Sequence, residues 1–413
     1  MTQLIVTAGT LVDGTGRSPL SDPVIFVRDG RIVDVREGRK EDLPAEAELL
    51  DLGDATLAPG LVDLHVHFLA PRTDSPYLHA LEDGASRLIR AVGQSARLLY
   101  AGFTLARDVG GRNSIFLRDA VSAGEIAGPH LQAARLVLTQ TGGHADMHFV
   151  PRDIVASSSV LCRLADGVDE CRRAVREQLR EGADLIKICT SGGVSSQRDR
   201  PENVQFTLEE ARAICEEAHN FGARVAAHAQ GTRGIALALE AGVDTIEHGC
   251  FADDHSLEEM ARRGVTLVPT FSVIKRILGG AASTGLAEWV VRKAEQVYLA
   301  RQRTVRRARE LGVRIGLGSD FGYLALTPHG ENAEEALRLH EAGLSPMEVV
   351  QAATRVAAEA MGLNDEFGTV ERGKWADLVA FPLSPLTDLT VLQEPVMVMQ
   401  HGRVVRWENE HKR

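Results

Sequence analysis

The 413-residue chain has little cysteine, and none of it lies in a paired motif. The cysteines are odd in number, scattered and without a Cys-x-x-Cys spacing, so the sequence suggests neither a disulfide framework nor a thiolate zinc site. We expect reduced, mostly buried thiols at Cys162, Cys171, Cys189, Cys215 and Cys250.

The chain also lacks basic clusters and long apolar runs. Lys and Arg total 46 against 57 Asp and Glu, the formal charge is −11, and no basic block occurs, so we expect no nucleic-acid partner. Residues 1–6 have neither a basic region nor a long apolar core, and no run reaches the length that spans a bilayer. We therefore expect a cytoplasmic protein with no membrane partner.

The two ends of the chain share short β-strand patterns separated by glycine-containing turns. Because β-rich ends flank a different middle, we predict one small β-sandwich-like domain built from residues 1–57 and 368–413. The strands predicted there are 4–6, 24–27, 31–35, 376–381 and 396–399.

Residues 58–367 alternate short apolar strands with helical patterns rich in Ala, Leu, Glu and Arg. This alternation predicts an α/β fold, a (β/α)8 TIM barrel. The predicted strands are 61–67, 103–108, 131–137, 185–189, 225–228, 245–248, 266–270 and 314–320, and the helices between them include 208–221, 234–241 and 292–311.

Two histidines, His65 and His67, end the first predicted barrel strand. Side chains two residues apart on a strand point the same way, so both imidazoles can reach one point in space. Since a neutral imidazole is the commonest metal ligand, the pair indicates a metal site.

Ligand-type residues recur on four later strands. The carboxyl ends of barrel strands meet at one rim, where such folds place their chemistry. We therefore expect these side chains to meet His65 and His67 in one pocket: Lys187, His228, His248 and Asp320. We expect His219, His255 and His340 to be ordinary core or surface residues.

Lys187 stands out because its neighbours are apolar, and a buried lysine without a partner is costly. Two interpretations are open. Lys187 forms an internal ion pair, for example with Asp320, or it has added carbon dioxide and become an anionic carbamate that bridges two metals. A carbamate would balance much of the charge of two divalent ions, whereas an ammonium group would add to it, which favours the carbamate.

In combination, these motifs resemble the amidohydrolase superfamily, in the branch with a two-metal centre and a carboxylated lysine. The resemblance runs from about residue 5 to residue 406. It is carried by the segments 63–67 (DLHVH), 186–188 (IKI), 227–229 (AHA), 246–249 (IEHG) and 318–320 (GSD). Segments 7–14, 57–60 and 368–379, from the two terminal regions, also resemble the superfamily.

The resemblance implies a ligand set and a mechanism. His65, His67 and Asp320 would hold the more buried metal, His228 and His248 the second, and carboxylated Lys187 would bridge them. A metal-bridging hydroxide would attack the substrate, and Asp320 would pass its proton to the leaving amine. The expected cofactors are two divalent ions, zinc first, and the carbon dioxide-derived carbamate; such ligands also accept manganese, cobalt or iron.

A closer resemblance is to the prolidase-like Xaa-Pro dipeptidases and short-peptide carboxypeptidases, through segments 139–146 (TQTGGHAD) and 187–194 (KICTSGGV). It implies that His144 polarises the scissile carbonyl, the alternative being a loop-capping role. Gln230 stands where many of these peptidases have a tyrosine that contacts substrate. The candidate substrate contacts are Gln230, Arg233 and His329, although Arg233 also fits a solvated surface group.

The sequence therefore predicts a metal-dependent amidohydrolase that cleaves an amide (peptide) bond of a dipeptide or N-acyl amino acid. Two alternatives stay open: the same centre acts on a carbamate, thiocarbamate, urea or aryl-amide compound, or the chain is a non-catalytic scaffold. The scaffold ranks last because all six ligand positions hold competent residues. The expected partners are a small-molecule substrate and further copies of the same chain.

Overall fold

The structure, a computed structural model, describes residues 4–38, 47–75, 82–280 and 286–407, without the side chains of 156–158. Its strands are β1 (Leu4–Thr7), β2 (Thr10–Leu11), β3 (Leu20–Ser21), β4 (Pro23–Arg28), β5 (Arg31–Glu37), β6 (Glu48–Asp51), β7 (Thr56–Pro59), β8 (Leu61–Val66), β9 (Phe103–Asp108), β10 (His130–Ala133), β11 (Val137–Thr139), β12 (Cys162–Leu164), β13 (Leu185–Cys189), β14 (Arg224–Ala229), β15 (Thr245–His248), β16 (Thr266–Val268), β17 (Leu378–Phe381), β18 (Met397–Gln400) and β19 (Arg403–Trp407).

Helices follow most of the barrel strands. They are α1 (Gly84–Tyr100), α2 (Ser114–Ser122), α3 (Arg152–Ser158), α4 (Val168–Arg180), α5 (Leu208–Asn220), α6 (Thr232–Ala241), α7 (Asp254–Arg263), α8 (Phe271–Gly280), α9 (Glu288–Glu310), α10 (Glu334–Glu341), α11 (Pro346–Ala352) and α12 (Arg355–Met361), with a 3-10 helix at Leu389–Gln393. Along the described ranges, we find no helix with the length and apolar character needed to cross a bilayer.

The terminal strands form two sheets. One has the order β5-β4-β1-β6, and the other, β19-β18-β17-β7-β2-β3, combines strands from both chain ends. In the second sheet β7 pairs antiparallel with β17, so that Pro59 lies opposite Leu378. This is the terminal β domain expected from the sequence. Its exact boundaries stay a prediction. Strand β7 runs across the predicted domain boundary between residues 57 and 58.

The middle of the chain forms the expected (β/α)8 barrel from parallel strands. One set has the order β10-β9-β8, and the other has the order β12-β11-β13-β14-β15-β16. The strands are buried because helices cover their outer faces, as in other parallel sheets. The helices predicted at 208–221, 234–241 and 292–311 are confirmed as α5, α6 and α9, and the last two begin earlier than predicted.

The prediction of one strand at 131–137 is wrong. Arg135 has a φ of 63°, and this left-handed residue divides the segment into β10 and β11. β10 pairs with β9, whereas β11 pairs with β12 and β13, so the bend lets one stretch of chain join two parts of the barrel wall. β12, which has three residues, was not predicted because it is too short to show a pattern.

The prediction of a regular strand at 314–320 is also wrong. The segment makes isolated parallel bridges, Ile315 with Leu267 of β16 and Phe321 with Val66 of β8, and so closes the barrel between these two strands. A Cβ atom on Gly318 would collide with Val268 and His65, which shows how closely the segment passes the neighbouring strands. Asp320, at its end, has a φ of 61°, so the backbone turns out of the extended conformation there.

All five cysteines are free and buried, as the sequence predicts.

Candidate metal centre

A pocket at the carboxyl ends of the barrel strands brings together every ligand position predicted from the sequence. The side chains come from β8 and the residue after it, from β13, β14 and β15, and from the closing segment 314–321. All are buried except Asp320, which is 17% exposed. The pocket lining includes His65, His67, Lys187, His228, His248 and Asp320.

Two of these histidines are oriented by hydrogen bonds at Nδ1. His65 Nδ1 lies 2.7 Å from Glu247 Oε2, and His248 Nδ1 lies 2.7 Å from Thr270 Oγ1. A neutral histidine that donates from Nδ1 keeps the lone pair on Nε2, and partners of this kind commonly fix the tautomer of metal-binding histidines. Both rings therefore offer Nε2 as a ligand atom.

The other two histidines are oriented by backbone carbonyl groups. His67 Nδ1 lies 2.7 Å from the Gly110 oxygen, which leaves Nε2 free. His228 is bonded the opposite way, with Nε2 3.2 Å from the Gly192 oxygen, so its Nδ1 is the free nitrogen. The four rings are thus held by partners outside the ligand set.

Burial keeps three of the rings neutral, which is the form that binds metal. It lowers the pKa of His65 to about 4 and places the pKa values of His228 and His248 well below the ordinary range. Burial alone would raise the pKa of Asp320, but neighbouring His65 and His67 bring it below its ordinary value. At neutral pH the site therefore offers lone pairs and a carboxylate.

Glu247 lies in the barrel interior beneath these ligands. It is fully buried and accepts a hydrogen bond from Arg107 Nη2 at 2.7 Å, while its other oxygen contacts His65. Although burial would raise its pKa, the charge of Arg107 brings the pKa well below the usual range. Glu247 is therefore an anion that fixes the His65 ring from behind.

Lys187 projects into the same pocket without a partner. The residue is 3% exposed, and its Nζ makes no hydrogen bond to any residue in the described part of the chain. The alternative expected from the sequence, an ion pair with Asp320, is not formed between these two described residues. Burial lowers the pKa of Lys187, which favours the neutral amine that can react with carbon dioxide.

The ligand atoms are close enough to share an ion. One atom from each of His65, His248 and Asp320 lies within 4.8 Å of the others. Asp320 Oδ1 is also 3.3 Å from His67 Nε2 and 3.5 Å from His65 Nε2. Nitrogen and oxygen donors at this spacing, beside an orphaned buried amine, fit a centre for divalent metal ions with a modified lysine.

His144 lies beside His228, one of the candidate ligands, with the two rings stacked at a centroid distance of 4.0 Å and an interplanar angle of 17°. Its Nδ1 is 2.7 Å from Ser196 Oγ and 3.7 Å from Asp199 Oδ2. Ser196 Oγ in turn donates to Asp199 Oδ1. His144 therefore lines the pocket with its Nδ1 side fixed by a buried carboxylate network.

The three candidate substrate contacts have different outcomes. Gln230 lines the pocket, is 3% exposed, and its Oε1 finds no hydrogen-bond partner among the described residues. Arg233 lies exposed on the first turn of α6 and is not among the described lining residues, so its placement fits the solvated surface group. His329 is buried behind the ligands, with Nε2 3.0 Å from the His67 oxygen, and does not line the pocket either.

Sequence reasoning assigned no role to several residues that support the site. Asp63 accepts hydrogen bonds from the His65 and Ser319 backbone N–H groups and from the side chains of Ser319 and Asn332, and so joins β8 to the closing segment. A signal was available for Asp63, because it lies two residues before His65 in a buried strand. Lys293 donates to the Gly193 and Ser196 backbone oxygens, and apolar residues of α8 and α9 line the pocket. These residues gave no such signal, because amphipathic helices carry similar residues throughout.

Comparison with known proteins agrees with this architecture. Residues 56–405 match the profile described as "Amidohydrolase family". The chain is also similar to ochratoxinase from Aspergillus niger, with 34% identity over 420 residues that cover 95% of this chain and 84% of the relative.

Solved structures with a similar fold extend over nearly the whole chain. A Xaa-Pro dipeptidase with methionine bound in its active site has a TM-score of 0.88 and 32% identity, and the match covers 98% of this chain and 100% of that one. A prolidase in complex with N-methylphosphonate-L-proline has a TM-score of 0.91 and 32% identity, with the same coverage.

Proposed function

The chain belongs to the amidohydrolase family and is a hydrolase acting on C–N bonds, and we propose that it cleaves the amide bond of a dipeptide or N-acyl amino acid. The observation that carries the proposal is the orphaned Nζ of Lys187 among five metal-ligand side chains in a buried pocket. A buried amine without a partner is costly in a folded protein, so a functional modification explains why it is kept.

We propose that the pocket binds two divalent metal ions, with zinc as the first expectation. One ion would be held by His65, His67 and Asp320, the other by His228 and His248, with carboxylated Lys187 shared between them. When bound, such ions lower the pKa of water and polarise a carbonyl group, which makes hydrolysis possible at neutral pH.

Asp320 is the proposed proton carrier. Its lowered pKa means that a carboxylate oxygen is available as a base at neutral pH. It would accept a proton from the attacking water and return it to the nitrogen of the leaving amine as the C–N bond breaks. The left-handed backbone at Asp320 directs its side chain to the ring nitrogens of His65 and His67.

His144 is the proposed donor to the carbonyl oxygen of the substrate. Because the hydroxyl proton of Ser196 goes to Asp199, the Nδ1 of His144 must itself donate to Ser196. Nε2, the nitrogen on the other side of the ring, is then the one left for the substrate, and when it carries a proton it can donate to an oxygen that gains negative charge in the transition state.

The names of the similar proteins support an amide substrate of this kind, because two are a Xaa-Pro dipeptidase and a prolidase. One observation favours a second candidate, hydrolysis of a carbamate, thiocarbamate, urea or aryl-amide compound. Gln230 presents an uncharged amide to the pocket, with an Oε1 that has no partner among the described residues, and Arg233 is exposed and does not line the pocket. A neutral substrate would suit this lining better than a free carboxylate would.

A substrate screen tests the proposal. Zinc-loaded protein, supplied with bicarbonate, is assayed against dipeptides, N-acyl amino acids, a phenylurea and a thiocarbamate, with Asp320→Asn as the inactive reference. Turnover of the dipeptide or N-acyl amino acid classes, lost in the variant, is the expected result. If only the phenylurea or thiocarbamate is turned over, the second candidate replaces the first. If no compound is turned over although two metals are bound, both are wrong.

A further inference from the structure

One side of the catalytic pocket is an apolar wall formed by α8 and α9. Its side chains from the two helices are buried or half-buried. Together with a leucine from the loop after the closing segment, they line the same pocket as the proposed metal ligands. The wall consists of Val273, Ile274, Ile277, Trp289, Val290 and Leu324.

The wall is fixed to the metal centre by a hydrogen-bonded link. Arg301 of α9 is fully buried and donates from Nη1 to Thr270 Oγ1 at 3.2 Å, and the same oxygen lies 2.7 Å from His248 Nδ1. Cys250, two residues after His248, packs in one apolar cluster with wall residues of both helices. An apolar group that lies against the wall would therefore be held next to His248 and the reacting atoms.

We propose that this wall is a subsite for a bulky apolar group, aromatic or branched aliphatic, attached to the scissile amide. This inference rests on the proposed amide hydrolysis and narrows its substrate class. Apolar surface removed from water contributes to binding in proportion to its area, and Trp289 contributes an aromatic ring to the pocket lining. A substrate with only small groups would leave the wall in contact with water.

Two substrate series test the subsite: N-acyl glycines from acetyl to hexanoyl and benzoyl, and N-acetyl amino acids from Gly to Leu and Phe. We expect kcat/KM to rise along at least one series by roughly fourfold per buried methylene. The rise should flatten in Trp289→Ala and in Ile277→Thr. Leu299 lies on α9, as Trp289 does, but is 61% exposed, so Leu299→Ala is the matched control and should keep the wild-type slope.

The subsite is wrong if the small members are hydrolysed and neither series rises, or if both wall variants keep the wild-type slope. If the metal-loaded protein hydrolyses no member, the proposed function fails instead. The subsite is then judged by calorimetric binding of the same compounds, where affinity must still rise with apolar size and fall in Trp289→Ala.

A separate observation concerns Lys293, which lies on α9 and is 14% exposed in its side chain. Its Nζ donates to three backbone oxygens of one loop, those of Gly193 at 3.0 Å, Ser196 at 2.7 Å and Asp199. An ammonium group has three hydrogens, so all its donors are used on this loop. Loop 193–199 is thereby tied to the helix that carries the apolar wall.

The same loop holds His144. Ser196 and Asp199 are the groups that fix its Nδ1, and a Cβ atom on Gly193 would lie 2.5 Å from His144 Cε1. The loop therefore contacts His144 closely enough that a small shift of its backbone would move the ring.

We infer that Lys293 is a positioning residue that holds loop 193–199, and through it His144, in the geometry needed for donation to the substrate carbonyl. This inference also rests on the proposed function. Lys293→Met should lower kcat by about 10- to 100-fold with little change in KM, since misplacement by about 1 Å can cost that much. Ethylamine added to Lys293→Ala should restore part of kcat, and Lys275→Met, an exposed lysine of α8, should match wild type.

The inference is wrong if folded, metal-loaded Lys293→Met has the wild-type kcat and pH profile, or if ethylamine restores nothing although the variant is folded. If wild-type protein hydrolyses no amide, the position of His144 is read from its imidazole resonances in ¹⁵N-histidine-labelled protein, assigned with His144→Gln. Those resonances must shift in Lys293→Met and stay in place in Lys275→Met.

Discussion

The metal side of the pocket and its apolar wall are built in opposite ways. On the metal side each histidine has a hydrogen-bond partner that leaves one nitrogen free, and the ligand atoms lie within a few ångströms of one another. On the wall, Val273, Ile277 and Val290 are held by packing alone, which fixes a surface and no particular atom. The arrangement on the metal side suits catalysis, and the arrangement on the wall suits substrate selectivity.

The difference also predicts how each side tolerates change. Replacing a residue that orients a ligand should affect metal content and kcat together. Replacing a wall residue should change which substrates bind and leave metal content alone. The four predictions below test this separation.

The largest effect is expected for Lys187→Met. Loss of the bridging group should reduce metal content and lower kcat by more than about 10³-fold, measured by elemental analysis and steady-state kinetics. Propionate added to Lys187→Ala should restore part of the activity, because it supplies the missing oxygens. Equal metal content and kcat in Lys187→Met and Lys275→Met would contradict the assignment of Lys187 to the metal side.

Asp320→Asn should lower kcat by about 10²–10⁴-fold, because an amide cannot carry the proton from water to the leaving amine. The variant should also lose the acidic limb of the pH–rate profile, since that limb reports protonation of this carboxylate, whose pKa is lowered. Wild-type kcat in Asp320→Asn would remove the residue from the mechanism.

Glu247→Gln should have a smaller effect of about 10- to 100-fold on metal affinity, since the variant keeps the shape but loses the charge that orients His65. Ile277→Thr serves as the wall counterpart and should keep wild-type metal affinity. The affinities are measured by competition with a chelating dye. If Ile277→Thr loses metal as strongly as Glu247→Gln does, the two sides are not separate.

The smallest effect on catalysis is expected away from both sides, at Asp377. Burial raises its pKa to about 7, its Oδ1 accepts the His401 N–H, and its Oδ2 has no partner among the described residues. A carboxyl whose folded pKa lies above its unfolded value of 3.8 stabilises the fold below about pH 4, and this contribution is lost as pH rises to about 7.

The free energy of unfolding of wild type, relative to Asp377→Asn, should therefore fall by about 1–4 kcal/mol between pH 4 and pH 7. Chemical denaturation at several pH values measures it. The kcat and metal content of Asp377→Asn should equal those of wild type at pH 7. A difference between the two proteins that is constant over this pH range would contradict the assignment.

The sequence predicted the metal side far better than the wall for a physical reason. A ligand position requires one of a few residue types at a strand end, so His65, His67 and Lys187 were visible as polar residues in apolar runs. A wall requires only apolar side chains on helices, which are common everywhere. Lys293 could not be found because its partners are backbone oxygens about 100 residues earlier in the chain.

Prediction of the fold from the sequence was limited in the same way. Strands such as β8 and β13 were predicted because they are continuous apolar runs. The bend at Arg135 and the isolated bridges of segment 314–321 were missed because they depend on which strands they meet in space. The cytoplasmic location and the assembly with further copies of the chain stay predictions.

A crystal structure of the zinc-loaded protein grown with bicarbonate tests the central claim most directly. The account predicts two anomalous-scattering peaks among the four histidines and Asp320, with electron density for a carboxylate beyond Lys187 Nζ that contacts both. A single peak or none, with an unmodified Lys187 amine in a fully loaded sample, would contradict it.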